Sequence, residues 1–225
     1  MKRDRRLRYG IAFTVLAILL IILLTVNIKY GSVDMTVKDI MEVFAGKGDI
    51  TVSRIIMDIR LPRVMAALIL GGALSVSGYL LQTFFGNPIA GPFVLGISSG
   101  AKLTVSIAMI VFLGQGMAVS SATLIISAFV GAMLSMGFIL LVSGRVKKMS
   151  MLVICGVMIG YICSAITDFI VTFADDSNIV NLHNWSMGSF SGISMDNVKV
   201  IAVIVFAATA VSFLLSKPMS AYQLG

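Results

Sequence analysis

The sequence predicts an all-α, polytopic membrane bundle of about six transmembrane helices with its N-terminus in the cytoplasm. Three observations lead there. Of 225 residues, 58% are hydrophobic and 12% charged, about half the roughly 25% charge of a soluble domain, and the mean hydropathy is +1.03. Apolar runs long enough to cross a hydrocarbon core of about 30 Å recur along the chain, separated by polar or Gly/Pro-rich breaks. Lys2, Arg3, Arg5, Arg6 and Arg8, drawn from only 17 basic residues, precede the first run and hold that end inside. The net charge of +7 is therefore a membrane-orientation signal and not a nucleic-acid footprint.

The first span is read at 11–28, uncleaved, because no small-residue cleavage site follows it. A mixed polar segment comes next. Within it Val37, Ile40, Met41 and Phe44 recur at helical spacing, predicting a short amphipathic surface helix over 36–44. The second span is read at 64–85, with Pro62 near its start, where a missing N–H costs little. Gly71, Ser75 and Gly78 form a small-residue packing stripe on it. Gly86-Asn87-Pro88-Ile89-Ala90-Gly91-Pro92 then breaks the helix. The third span, 101–113, is short, so part of this loop is expected to be re-entrant, with Ser98, Ser99 and Gly100 in its irregular backbone. Lys102 is placed at the inner end of that span. The fourth and fifth spans are read at 119–142 and 151–173. Between them Arg145, Lys147 and Lys148 mark a cytoplasmic loop. Gly156, Gly160 and Ser164 make a second packing stripe. The segment 174–197 has no Lys or Arg and is read as an outer loop, and the sixth span is 198–215.

Candidate chemistry is sparse. Cys155 and Cys163 would stand about 12 Å apart on one helix, too far for a disulfide. One His and no Cys/His pairs give no metal site. Gly96-Ile97-Ser98-Ser99-Gly100 fits a nucleophile-elbow pattern, and His183 with Asp168, Asp175 or Asp176 could complete a triad on paper. The elbow requires a strand before it and a helix after it, whereas its flanks here are membrane helices. Asp168, the only acid inside a span, lies near the outer end of the fifth. No phosphate-binding loop is present, so any ATP hydrolysis belongs to another chain.

Ile59-Arg60-Leu61-Pro62-Arg63, Gly71-Gly72-Ala73-Leu74-Ser75-Val76-Ser77-Gly78, Gln82, Asn87-Pro88-Ile89-Ala90, Pro92 and Leu95-Gly96-Ile97-Ser98-Ser99-Gly100-Ala101 occur in that order. They resemble the signature of the FecCD family, permeases of ABC importers for ferric siderophores, haem and cobalamin. Trp185-Ser186-Met187-Gly188-Ser189 is similar to an outer-loop element of that family, and Ser216-Lys217-Pro218-Met219 with Leu224-Gly225 to the approach to its coupling loop. The resemblance implies a ten-helix subunit of the cobalamin-importer type in the bacterial inner (plasma) membrane. It implies a second permease subunit (a copy or a paralogue), ATP-binding subunits that hold ATP and Mg, and an extracellular substrate-binding lipoprotein. No cofactor is expected on this chain. By the same resemblance Arg60 and Arg63 dock the binding protein, Asn87, Pro88, Gly96, Ser98, Ser99 and Gly100 belong to the translocation path or its loop, and Ser150 aligns with a cytoplasmic gate. Family members continue for four more helices, so the chain reads as the N-terminal portion of one permease domain, lacking the coupling loop. The competing readings are a non-functional fragment and an intramembrane hydrolase using Ser98 or Ser99.

Overall fold

A computed structural model describes residues 2–117, 119–146, 149–174 and 176–215, with 217, 218 and 221. Lys147, Lys148, Asp175 and most of the segment from Ser216 to Gly225 lie outside the described residues. Among the described residues there is helix but no strand, and six helices are long and apolar enough to cross a membrane. The chain forms two compact units. One comprises Met1–Gly72 with Phe190–Ala208, the other Ala73–Ser189 with Thr209–Gly225.

In the first unit, α1 (Lys2–Lys29) begins well before the apolar run and carries the basic cluster in its first turns. The surface helix α2 (Val37–Phe44) starts at a reciprocal cap. Thr36 Oγ1 accepts from Asp39 N at 3.2 Å, and Thr36 N donates to the Asp39 carboxylate at 2.8 Å, which satisfies two otherwise orphaned donors. Its packed side is not the face expected from spacing. Val43 is buried with Met35 and Ile56, and Ile40 packs against them, while Val37, Met41 and Phe44 remain exposed. A tight return at Gly48 sets this side: a Cβ there would approach Val43 Cα to 2.9 Å.

The second crossing starts earlier than predicted. One helical run extends from Ile50 to Phe85, 36 residues or roughly 54 Å at 1.5 Å per residue, so its first turns reach beyond a hydrocarbon core. Asp49 caps it by accepting from Thr51 N and Val52 N. It consists of α3 (Ile50–Arg54), a π-helical turn (Ile55–Arg60) and α4 (Leu61–Phe85). Arg60 and Arg63 are thus inside the helix and not ahead of it. Pro62 explains the π turn. A proline ring would press on the carbonyl four residues back. Here Leu61 N–H bonds Ile56 O instead, a wider spacing that re-seats the backbone.

In the second unit, α5 (Ile97–Gly114), α6 (Ser121–Ser143) and α7 (Met149–Val171) pack with α5 in the middle. Ser98, Ser99 and Gly100, expected in irregular backbone, form the first turn of α5. The break lies before them and ends at Gly96, whose φ of 70° only glycine adopts readily. Gly96 lies against Gly156 and Gly160 of α7, about 10–16 Å above the start of that helix. Residues 86–96 therefore end level with the second to third turn of α7 and not with its start. Their backbone is largely self-satisfied: Asn87 N donates to Gln82 O, Ala90 N to Asn87 O, Leu95 N to Gly91 O, and Ile89 N to the Asn87 side chain. Ala90 and Leu95 are buried with Phe85, Ile139, Leu152, Val153 and Ile159, as non-helical chain at this depth requires.

On its other side α5 meets α6 where a Cβ on Gly100 would strike Ser135, and one on Gly131 would strike Gly100 and Thr104. Thr104 Oγ1 donates to Ser127 O at 2.6 Å across this contact, a polar bond of the kind that joins membrane helices. The segment 174–197 is not all loop. It contains α8 (Asp176–Met187), held by Leu182, buried with Val105 and Met109, and by Trp185 beside them. The sixth apolar helix is α9 (Met195–Leu214).

The two glycine stripes differ in consequence. A Cβ at Gly156 would stand 2.8 Å from Leu95 Cα, one at Gly160 3.3 Å from Gly96 Cα, and one at Gly71 or Gly78 would meet nothing within 4 Å. Gly156→Ala should therefore lower the thermal midpoint of the detergent-purified chain by an amount equivalent to about 1–3 kcal/mol. Gly160→Ala should cost less, and Gly71→Ala should be neutral or gain up to about 1 kcal/mol from helix propensity. A flat response across the three would refute the close approach. The cap of α2 should be acid-sensitive. Bonding to Thr36 holds the Asp39 carboxyl below its ordinary range, so its contribution is complete above that range and is lost as pH falls through the depressed value. Hydrogen exchange of the Asp39 amide should accelerate at acid pH relative to a Thr36→Ala, Asp39→Ala variant.

Candidate functional site

Two places gather the side chains singled out from the sequence, one in each unit. In the first unit, Arg60 is 8% exposed and points inward. Nη1 donates to Ile28 O at 2.6 Å and to Lys29 O at 2.9 Å, and Nη2 donates to Val33 O. These carbonyls terminate α1 and begin the following loop. A helix C-terminus presents unsatisfied carbonyls and a partial negative charge, so a guanidinium fork is matched to it in sign and shape. Gly31 makes room: a Cβ there would lie 2.8 Å from Nη2. Arg63, one turn along, is half-buried. The sequence offered both arginines as outward contacts, whereas the structure commits the Arg60 charge to the end of α1. Gly31 had been overlooked, since its role depends on an arginine distant in sequence.

In the second unit, the end of the re-entrant break and α7 enclose a shallow cavity of about 270 Å³. Ser99, Gly160, Tyr161 and Ser164 line it, with Phe93 at its edge. Ser164 Oγ donates to Ser99 Oγ at 3.5 Å, a long bond across the α5–α7 seam. Phe93 and Tyr161 are 76% and 72% exposed, so the cavity has two aromatic walls and a hydroxyl floor. The stripe Gly160–Ser164 and the loop residues Gly96 and Ser99 thus converge. Asn87 is half-buried and Pro88 exposed further back in the break, Ser98 is half-buried, and Gly100 is spent on α6. Ser150 is exposed on the first turn of α7. Phe93 and Tyr161 were missed; only their adjacency to the break and to Gly160 could have marked them.

Among the described residues no Ser–His–Asp set assembles, and Asp175 lies outside them. Ser98 and Ser99 sit in a helical turn, and neither bonds His183, which is exposed on α8. Among the described residues no group of His, Cys, Asp and Glu could hold a metal ion, and both cysteines are free.

Six helices long and apolar enough to cross a membrane, among the described residues, define a polytopic membrane protein. Comparison with known proteins places it further: the FecCD transport family matches residues 19–225, and the chain belongs to that family. It is a multi-pass protein of the bacterial inner membrane and not an enzyme. It is 32% identical over 198 residues to the vitamin B12 import system permease protein BtuC of Vibrio parahaemolyticus, covering 86% of this chain and 55% of that one. With BtuC of Escherichia coli the identity is 34% over 186 residues, covering 81% and 53%. The chain thus spans about half the length of these relatives. Its fold matches a transporter of the metal-chelate ABC type solved in an inward-facing conformation, with a TM-score of 0.78, 24% identity, and coverage of 96% of this chain and 66% of that one.

Removing the Arg60 fork should be costly because it strands part-buried carbonyls at the end of α1. Arg60→Ala should destabilise the purified chain by about 3 kcal/mol or more, given roughly 1.5–3 kcal/mol for each hydrogen bond to a charged group. Arg60→Lys should recover only part, since an ammonium cannot reproduce the fork. A thermal midpoint unchanged in Arg60→Ala would refute the assignment.

Proposed function

We propose that the chain is the N-terminal portion of the permease subunit of an ABC importer, moving a bulky metal chelate from an external binding protein to the cytoplasm. A ferric siderophore, haem or cobalamin fits this reading. ATP and Mg would be bound by separate ATPase subunits, and a second permease, a copy or a paralogue, would complete the path. The family match over residues 19–225 carries the proposal. The names of the BtuC relatives favour a corrinoid among the possible cargoes.

The geometry supports a division of labour. Arg63 offers its charge to acidic side chains of the binding protein, while Arg60 holds the end of α1 and the loop beside it in place for that contact. Within the second unit, Ser99, Tyr161 and Ser164 face the path. Ser150, near the inner end, stands where a cytoplasmic gate would close. No chemistry is done on the cargo.

Cells carrying the rest of the transport operon but lacking this gene test the proposal directly. Restored uptake of radiolabelled cobalamin or of an iron-labelled siderophore by this chain joined to the C-terminal part of a family permease supports it; uptake of neither overturns it. For docking, Arg63→Glu should weaken association of the binding protein with the nanodisc-held chain by about ten-fold or more at low salt, and the difference should shrink as salt rises. An unchanged affinity would remove Arg63 from the interface.

A further inference from the structure

Two charges inside the second unit have no assigned role. Lys102 on α5 is half-buried and Asp168 on α7 is exposed. Among the described residues neither side chain has an ion-pair or hydrogen-bond partner. The sequence placed Lys102 at the inner end of its span, far from Asp168 near the outer end of another. The packing register revises this. α5 and α7 run in parallel, and Gly96 meets Gly160 while Ser99 meets Ser164. Carried one turn outward, that register sets Lys102 level with Asp168. Lys102 is three residues beyond Ser99 and Asp168 four beyond Ser164, so each stands on the face of its own helix that carries the serine contact. Both lie about 5 Å outward of the hydroxyl floor of the cavity.

Charges at membrane depth are expensive unless paired or hydrated. We propose that Lys102 and Asp168 are partners across the α5–α7 seam: an intramembrane ion pair that latches the outer side of the cavity lined by Ser99, Tyr161 and Ser164. In this structure the latch is open. Closing it brings the ammonium over the carboxylate and covers the serine floor from outside. Opening it leaves two opposite charges bordering the cavity mouth, where water or cargo solvates them. The chemistry of the pair and cavity does not depend on what is transported; its role as a gate rests on the reading of this cleft as part of a cargo path.

The test reads access to the cavity and needs neither cargo nor binding protein, so its failure is separate from failure of the transport proposal. In a Cys155→Ala, Cys163→Ala background, Ser164→Cys is labelled in nanodiscs with a membrane-impermeant maleimide. Lys102→Gln and Asp168→Asn should each raise the labelling rate by about ten-fold, the size of a coupling between contacting residues. The exchange Lys102→Asp with Asp168→Lys should return it to within about three-fold of the parent. Trp185, the single tryptophan, packs beside Val105 and Met109 and reports whether that unit stays folded. If the single variants shift its emission, an exchange that restores both emission and labelling still supports the pair. Unchanged rates in both single variants, or an exchange labelled as fast as they are, would overturn it.

Discussion

A Cβ on Gly96 would stand 2.6 Å from Gly156 O and 2.7 Å from Gly160 N, so the chain can enter the bilayer non-helically here only because three glycines meet. Backbone lies against backbone with no side chain between. That approach closes a seam in which irregular chain is shielded by protein, the one circumstance that permits it at this depth. The cavity follows from the same contact. Because the break ends on α7, α5 begins part-way across the bilayer, and its first turn brings Ser99 to Ser164 and not to the membrane surface. Gly100 and Gly131 then let α6 close the other side, so α5 is fixed between two neighbours by small residues and by one interhelical hydroxyl bond to each.

The first unit is organised by a different force. A buried guanidinium needs acceptors, and a helix that has just ended needs donors. Arg60 and the last carbonyls of α1 satisfy each other across more than twenty-five intervening residues. The π turn in front of Pro62 belongs to the same arrangement, since Arg60 is the last residue of that turn and its direction depends on the re-spaced backbone. The docking proposed for this end then rests on Arg63.

The spans were legible because twenty-residue apolar runs have few alternatives, and the stripe Gly156–Gly160–Ser164 was legible because small residues at helical spacing mark close contact. What escaped was whatever tertiary contacts decide. Ser98, Ser99 and Gly100 have loop-like composition, yet they are helical because Gly96 has already absorbed the turn. The helix α8 is polar along most of its length and is held through Leu182 and Trp185, too few apolar positions to show a period. The packed face of α2 was misassigned because Val43, not Met41, meets Ile56. Arg60 gave no sign of turning inward, for a side chain's direction depends on acceptors that sequence distance hides.

Depth is the quantity that sequence conceals most and that function needs most. Hydropathy locates the ends of a span but not its height relative to its neighbours. Starting the third span at residue 101 put Lys102 at its cytoplasmic end, where a lysine can snorkel and requires no further account. The glycine seam raises α5 against α7 by several turns, and the same lysine then lies opposite the only acid within α7, beyond easy reach of the inner surface. A contact between backbones thus changes the meaning of a charge elsewhere on the helix: what was a solvated end becomes one side of the proposed pair bordering a cavity.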